Sequence, residues 1–437
     1  VVRRQRQMCI RDRHVTFIIP QDLSLKFSEN MCAIAPKLFG HKIGLAVSGG
    51  GDSMALLYLM HEWASQNHQK LYVATVDHGL RKESVHETKI VEAECKKLNI
   101  ECKILKWSGW NKVGNLLDAA RDARNELIGE WSNELGLNCV ATGHTADDQA
   151  ETFLLRLARG SGVDGLSGMA PFGYKKTMLW FRPILAYRRS DLRAFLSYKG
   201  IKWIEDPSND DTRFERIKMR KAQNMLDDLG LTVDRLVETA DRMATARSAL
   251  ELLTKECAEN VSSPTRLGTV KLDVKAFSLL PLELRYRLFS HVLKWVSGSK
   301  YRPRFKSLIE STNRLSIGKD HTLMGCHIIS DGIFAEVCRE VSKIESINDF
   351  SKPFDNRWVL TSNSPCDGLV IGPLGEEGLL LCEGWRKLKF SRISLMGSPA
   401  IWKDNVLIAA PMAGLEINWK CYLKKDYKNF FSMIVTH

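Results

Sequence analysis

Val47-Ser48-Gly49-Gly50-Gly51-Asp52-Ser53 decides the fold of this chain. An apolar run over 43–47 precedes it and reads as a buried strand, and the run over 54–60 reads as the start of a helix. A glycine turn between a strand and a helix leaves backbone N–H groups free at the positive end of the helix dipole, where phosphate binds. A Walker-type loop would continue Gly-Lys-Ser/Thr and send the lysine to the outer phosphates. This loop has no lysine. It offers the Ser48 and Ser53 hydroxyls, the amides of Gly49, Gly50 and Gly51, and the Asp52 carboxylate. That set suits a pyrophosphate leaving group with Asp52 placed to help hold Mg2+, so the expected chemistry is cleavage of ATP to AMP and pyrophosphate. A plain glycine-rich turn is the competing reading, and the strand–loop–helix context speaks against it.

Outward from the loop, strands and helices alternate between residues 42 and 187. Further strands are expected over 71–76, 100–107 and 138–142, and helices over 84–98, 116–135 and 146–158. Such alternation implies an α/β, doubly wound parallel sheet covered on both faces, with the ligand past the carboxyl ends of the strands. Ser48, Asp77 and Gly143-His144 all fall there. A helix is expected over 188–199, a loop of turn formers at Asp206-Pro207-Ser208-Asn209-Asp210-Asp211, and then a basic segment. Arg213, Arg216 and Arg220 in that segment are three and four apart, so on a helix they share a face. The pattern is helical from 217 to 295, and residues 321–337 alternate around the hairpin signal Ser330-Asp331-Gly332. Beyond 350 short strands and turns dominate. The expected division is a tail over 1–30, a catalytic domain over 31–216, a mainly helical domain over 217–349 and a small β-rich domain over 350–437.

The 437 residues carry a net charge of +12, which favours a polyanionic partner such as nucleic acid. The 11 cysteines include no Cys-x-x-Cys pair, which argues against a zinc ribbon or an iron–sulfur cluster and for a reducing compartment. No apolar run reaches the roughly 20 residues of a membrane helix, so no membrane partner is expected and cytoplasm is the expected location. Residues 1–13 hold five arginines without helical or strand period. They read as a disordered or non-native tail and stand outside the fold argument.

A second motif lies at Gly143-His144-Thr145-Ala146-Asp147-Asp148-Gln149-Ala150-Glu151-Thr152. Asp148 and Glu151 are three apart and share a helical face. Two carboxylates beside a phosphate site would repel ATP unless a cation lies between them, and Mg2+ and an amine-bearing substrate both qualify. Helix-capping acids are the competing reading, which explains one of the three carboxylates better than all three. His144 ends a strand beside the loop, where a nucleotide contact competes with an ordinary core role. Arg121 and Arg124 suit neutralisation of an adenylyl-transfer transition state, or serve as surface charges.

With these residues in hand, the chain resembles the tRNA(Ile)-lysidine synthetase family of the N-type ATP pyrophosphatases, which carry Ser-Gly-Gly-x-Asp-Ser. The loop alone names only the superfamily. The specific likeness lies in Asp77-His78-Gly79-Leu80-Arg81, Gly-His-x-x-Asp-Asp-Gln-x-Glu-Thr, Arg159-Gly160-Ser161-Gly162, Gly168-Met169, Arg182-Pro183 and Asp206-Pro207-Ser208-Asn209. The resemblance implies adenylation of C2 of the wobble cytidine in a CAU-anticodon isoleucine tRNA, then attack by free L-lysine. It implies ATP and Mg2+ on Ser48, Gly50, Asp52 and Ser53, and lysine on Asp148 and Glu151. It also implies an adenylate beside Asp52, His144 and Arg121, and tRNA on Arg213, Arg216 and Arg220. A homodimer is one assembly compatible with it. Ile217 stands where the family has asparagine, and Asn125 where it has tyrosine. The rival readings are a tRNA 2-thiolation enzyme of the same superfamily, which would need a cysteine pair, and a non-catalytic RNA-binding relative, which would not need Asp52, Asp148 and Glu151.

Overall fold

The structure is a computed structural model that describes residues 20–34, 42–79, 84–107, 116–137, 139–175, 178–205, 215–299, 301–362 and 365–435. The chain forms two compact units, residues 1–247 and 248–437.

The first unit is built on six strands: β1 (Ile43–Ala46), β2 (Leu71–Asp77), β3 (Glu101–Lys106), β4 (Cys139–Thr142), β5 (Phe172–Lys175) and β6 (Met178–Phe181). Their order is β3-β2-β1-β4-β6-β5. The first five run parallel, and β5 closes the edge antiparallel to β6. Side chains alternate between the two faces of a strand, and here that alternation sorts the core. Ile43, Leu45, Val73, Cys139, Ala141, Leu179 and Phe181 join one buried cluster. Tyr72, Ala74, Val140, Met178 and Trp180 join another, on the opposite face.

Helices α1 (Pro20–Ile34), α2 (Gly51–Gln66), α3 (Ser84–Lys97) and α7 (Arg189–Tyr198) cover the first face. Helix α4 (Leu116–Glu134) covers the second with Ile128 and Trp131. Trp131 packs so tightly on β1 that a Cβ at Gly44 would lie 3.0 Å from its ring. Helix α1 occupies residues expected to be a tail. Leu23, Phe27 and Met31, at helical spacing, are buried in the main core, and Asn30 donates a 2.6 Å hydrogen bond to the Tyr187 hydroxyl. Of that expected tail, residues 1–19 lie outside the described residues.

Helices α5 (Ala146–Ala158), α6 (Val163–Leu166), α8 (Glu215–Lys221), α9 (Gln223–Asp228) and α10 (Val233–Val261) complete the sequence to residue 261. Ala146, Ala150, Phe153 and Leu154 of α5 pack against Val233, Leu236 and Ala240 of α10, with Met219 and Leu226 beside them. This apolar seam accounts for the first unit running to residue 247.

In the second unit, β7 (Ser262–Pro264), β8 (Val270–Asp273), β9 (His321–Leu323), β10 (Cys326–Ser330) and β11 (Phe334–Arg339) form an antiparallel sheet in the order β7-β8-β11-β10-β9. The region expected to be mainly helical therefore carries its own sheet. The hairpin turn forms as read, with the Asp331 carboxylate accepting from the Ile333 and Phe334 amides. With α11 (Val274–Leu279), α12 (Leu282–Ser297) and α13 (Phe305–Ser316), the sheet encloses Phe277, Leu288, Phe289, Val292 and Val337. The last segment adds β12 (Trp358–Ser362), β13 (Val370–Pro373), β14 (Pro399–Lys403), β15 (Val406–Ala409) and β16 (Trp419–Leu423). It is stitched to the helical part across residue 350. Arg339 pairs with Asp355 at 2.8 Å, and Phe430 is buried in the α12 core.

Candidate active site

The glycine loop lies at the carboxyl end of β1, and its conformation follows from its glycines. Gly49 has φ +87°, a left-handed geometry that a side chain resists, and a Cβ there would lie 2.5 Å from Ile204 Cδ1. Helix α2 starts at Gly51, three residues before the expected start, so Asp52 and Ser53 sit in its first turn. The Ser53 hydroxyl donates to the Gly50 carbonyl at 2.9 Å and accepts from the Ser48 amide at 3.1 Å. Gly143 closes on this turn, where a Cβ would lie 3.0 Å from Ser53 Cα. The β4 loop is thereby held against the β1 loop.

Three carboxylates gather around one guanidinium. Arg189, at the start of α7, pairs with Asp52 at 3.0 Å, Asp148 at 3.3 Å and Glu151 at 3.5 Å. Its backbone amide donates to Asp147 Oδ2 at 2.7 Å. Arg220 on α8 adds a second cation, with Nε 2.9 Å from Glu151 Oε1. Glu151 is only 4% exposed, and its Oε2 is buried with no hydrogen-bond partner. Asp148 does two jobs. One oxygen completes a capping box with Thr145 at the start of α5, and the other faces Arg189. Burial raises the Asp52 carboxyl above the usual range, and Arg189 opposes that shift. The same carboxylates hold the Arg189 guanidinium firmly charged against the effect of burial. Sequence reasoning missed Arg189. Its only signal was its position at the start of a helix just after Arg182-Pro183.

His144 stands at the carboxyl end of β4, its Nδ1 2.9 Å from the Thr142 hydroxyl. Burial, with Arg182, Arg124 and Arg216 nearby, pushes its imidazole down to about 4, so it is neutral at pH 7. Arg124 and Arg182 are themselves lowered by burial and by Arg121. An array of arginines therefore converges near the β4 loop, with Arg121 on its exposed side. At the end of β2, Asp77 accepts from the Ser84 hydroxyl at 2.6 Å and the Gly79 amide at 2.9 Å, which lowers its carboxyl.

The expected residues Ser48, Gly49, Gly50, Gly51, Asp52, Ser53, His144, Asp148 and Glu151 thus lie on adjoining loops and helix starts. Arg216 reaches the Thr152 hydroxyl of α5 at 3.3 Å, so Arg216 and Arg220 both turn toward the carboxylate helix. Ile217 is buried between them in sequence, which gives its departure from asparagine an apolar setting. Arg213, Leu80-Arg81 and the loop over 206–211 lie outside the described residues. The Asp52 carboxylate beside a phosphate-type loop fits Mg2+, which usually keeps its waters and takes one or two protein carboxylates plus substrate phosphates. Among the described residues no cluster of three or more ligating side chains forms a metal cage.

The parallel sheet, the lysine-free glycine loop and the carboxylate helix define a PP-loop ATP-utilising enzyme, and residues 23–226 match the PP-loop domain family. The tRNA(Ile)-lysidine synthase of Ruegeria pomeroyi is 40% identical over 91% of this chain and 94% of its own length. That of Wolbachia pipientis is 37% identical over 85% and 89%. The chain belongs to the tRNA(Ile)-lysidine synthase family, ATP-dependent ligases that modify tRNA. Among solved structures, the U34-tRNA thiolase NcsA of Methanococcus maripaludis is similar at 18% identity and a TM-score of 0.43, covering 51% of this chain and 80% of that one. The curated relatives favour the lysidine reading over 2-thiolation. No helix among the described residues is long and apolar enough to cross a membrane.

Proposed function

We propose that the chain joins free L-lysine to C2 of the wobble cytidine in a CAU-anticodon isoleucine tRNA. In the first step the C2 carbonyl oxygen attacks the α-phosphorus of ATP, and the bond to pyrophosphate breaks. In the second, the lysine amine bonds to C2, the C2–oxygen bond breaks, AMP departs and the amine loses a proton. The amides of Gly49, Gly50 and Gly51 with the Ser48 and Ser53 hydroxyls cradle the departing pyrophosphate at the start of α2. Asp52 would hold Mg2+, which supplies charge neutralisation on the phosphates when bound. Arg121 and Arg124 offset charge on the transferring phosphoryl group. His144, being neutral, orients the nucleotide as a hydrogen-bonding group without adding charge. Arg213, Arg216 and Arg220 guide the RNA toward the cleft.

The observation that carries the lysine site is the buried, unpartnered Oε2 of Glu151 beside a guanidinium that three carboxylates share. A buried anionic oxygen without a donor is costly, and a substrate ammonium supplies that donor. The cluster already holds a cation of the same sign, Arg189. Glu151→Gln should raise the lysine KM roughly ten- to hundredfold, the scale of a lost charge-assisted hydrogen bond, and leave the ATP KM nearly unchanged. Equal effects on both would place the amine elsewhere.

A further inference from the structure

The second unit contains a cavity of about 410 Å3 beside α12 and the end of β16, a size typical of ligand pockets. Its charge is one-sided. Among the described residues, Arg287, Lys294, Arg302, Arg357, Lys424 and Lys425 line it against a single carboxylate, Glu251. We propose that this cavity binds a small phosphate-bearing ligand, separately from the nucleotide loop.

Some of these cations have structural partners. Arg287 pairs with Glu283 at 2.8 Å, and the buried Arg357 pairs with Asp355 at 3.1 Å. Lys294 and Lys425 have no ion-pair partner among the described residues. Burial and the neighbouring cations Arg302 and Lys425 hold the Lys294 ammonium below its ordinary range, and Lys425 is lowered in the same direction. His291, which also lines the cavity, is pushed down to about 4 by burial and the same charges. Its Nε2 lies 2.9 Å from the Phe430 carbonyl. Like charges held together disfavour their own ionised forms, and a bound anion reverses the sign of that interaction. The buried Ser290 hydroxyl at the cavity wall has no hydrogen-bond partner.

Arg357 is buried and Arg287 and Lys294 are half-buried, while Arg302, Lys424 and Lys425 are exposed. This gradation suits a compact ligand that enters phosphate first. The remaining wall mixes polar Thr254, Ser299 and Asn356 with apolar Trp295, Leu423 and Ile434, and accommodates an organic portion such as a nucleoside. A concave pocket of this size favours a free phosphate or nucleotide over a duplex backbone, which is usually met by a stripe of surface cations.

The test is calorimetric titration of the full chain with inorganic pyrophosphate, then AMP, without divalent metal. Wild type should bind two equivalents of pyrophosphate, and Lys294→Gln/Lys425→Gln should bind one, the lost site weakening by roughly tenfold or more. Lys294→Arg/Lys425→Arg should restore it, which separates lost charge from misfolding. Ser48→Ala/Ser53→Ala should weaken the other equivalent and spare this one. The loss caused by the glutamine pair therefore stands even if the nucleotide loop has been misread. Unchanged stoichiometry in the glutamine pair overturns the proposal. So does a glutamine pair that keeps both equivalents but lowers the salt dependence of tRNA binding by about two counterions, because the cavity would then seat an RNA phosphate.

Discussion

Two polar regions of this molecule solve opposite electrostatic problems. In the first unit, cations and carboxylates interleave, and Arg189 touches Asp52, Asp148 and Glu151 at once. In the second, six cations line one cavity with a single carboxylate among the lining residues. The interleaved cluster is internally compensated, so removing one charge leaves its partners exposed to the cost of burial. The one-sided cavity is internally repulsive, so removing one charge relieves the rest. The same substitution chemistry should therefore change stability in opposite directions at the two places.

The largest expected effect is on catalysis. Asp52→Asn keeps the shape of the first turn of α2 but removes the anion from the phosphate loop. ATP–pyrophosphate exchange should fall on the order of hundredfold to thousandfold. Exchange at the wild-type rate would remove Asp52 from the site. Next comes Arg189→Met, which strands three carboxylates that are mostly buried. Stability in denaturant should drop by about 2–4 kcal/mol, and Asp148→Asn in that background should recover part of it. A neutral outcome would break the comparison from the acidic side.

The histidines test both regions together. His144 and His291 are each held at about 4, below an ordinary histidine near 6.5. Between those values the unfolded chain binds the proton and the folded chain does not. Stability is therefore full above about pH 6.5 and falls as pH drops toward 4, by up to about 1.4 kcal/mol per pH unit for each group. Urea midpoints measured from pH 7 to 4.5 should show the decline, and His144→Asn and His291→Asn should each flatten it. A flat wild-type profile contradicts both environments. The smallest effect is Lys294→Met, which should stabilise by up to about 1 kcal/mol, the scale of a modest charge interaction. Destabilisation there would show that the cavity cations are compensated after all.

The catalytic core was legible because its elements are short and strongly patterned. The run before Ser48 is a period-two core strand, and glycine at 49 answers a positive φ that the sequence can signal. The Asp148 and Glu151 spacing likewise fixed one face of α5. Part of that second motif is structural. Gln149 clasps both the amide and the carbonyl of Met169, and Arg156 holds the Gly165 and Gly168 carbonyls. The residues missed were those whose role depends on distant packing. Arg189 meets Asp52 across 137 positions of chain, which no local pattern reports. Helix α1 and the seam between α5 and α10 are stabilised by tertiary burial, which local sequence pattern does not report. In the region read as mainly helical, the β10–β11 hairpin was legible, whereas β7 and β8, only three and four residues long, escaped.

One incubation tests the central claim most directly: the purified chain with ATP, labelled lysine and an isoleucine tRNA transcript bearing the CAU anticodon, beside a transcript with uridine at the wobble position. The account predicts AMP and pyrophosphate formed in step with lysine carried by the CAU transcript alone. Release of ADP and orthophosphate, or AMP formation with no lysine on the RNA, would contradict it.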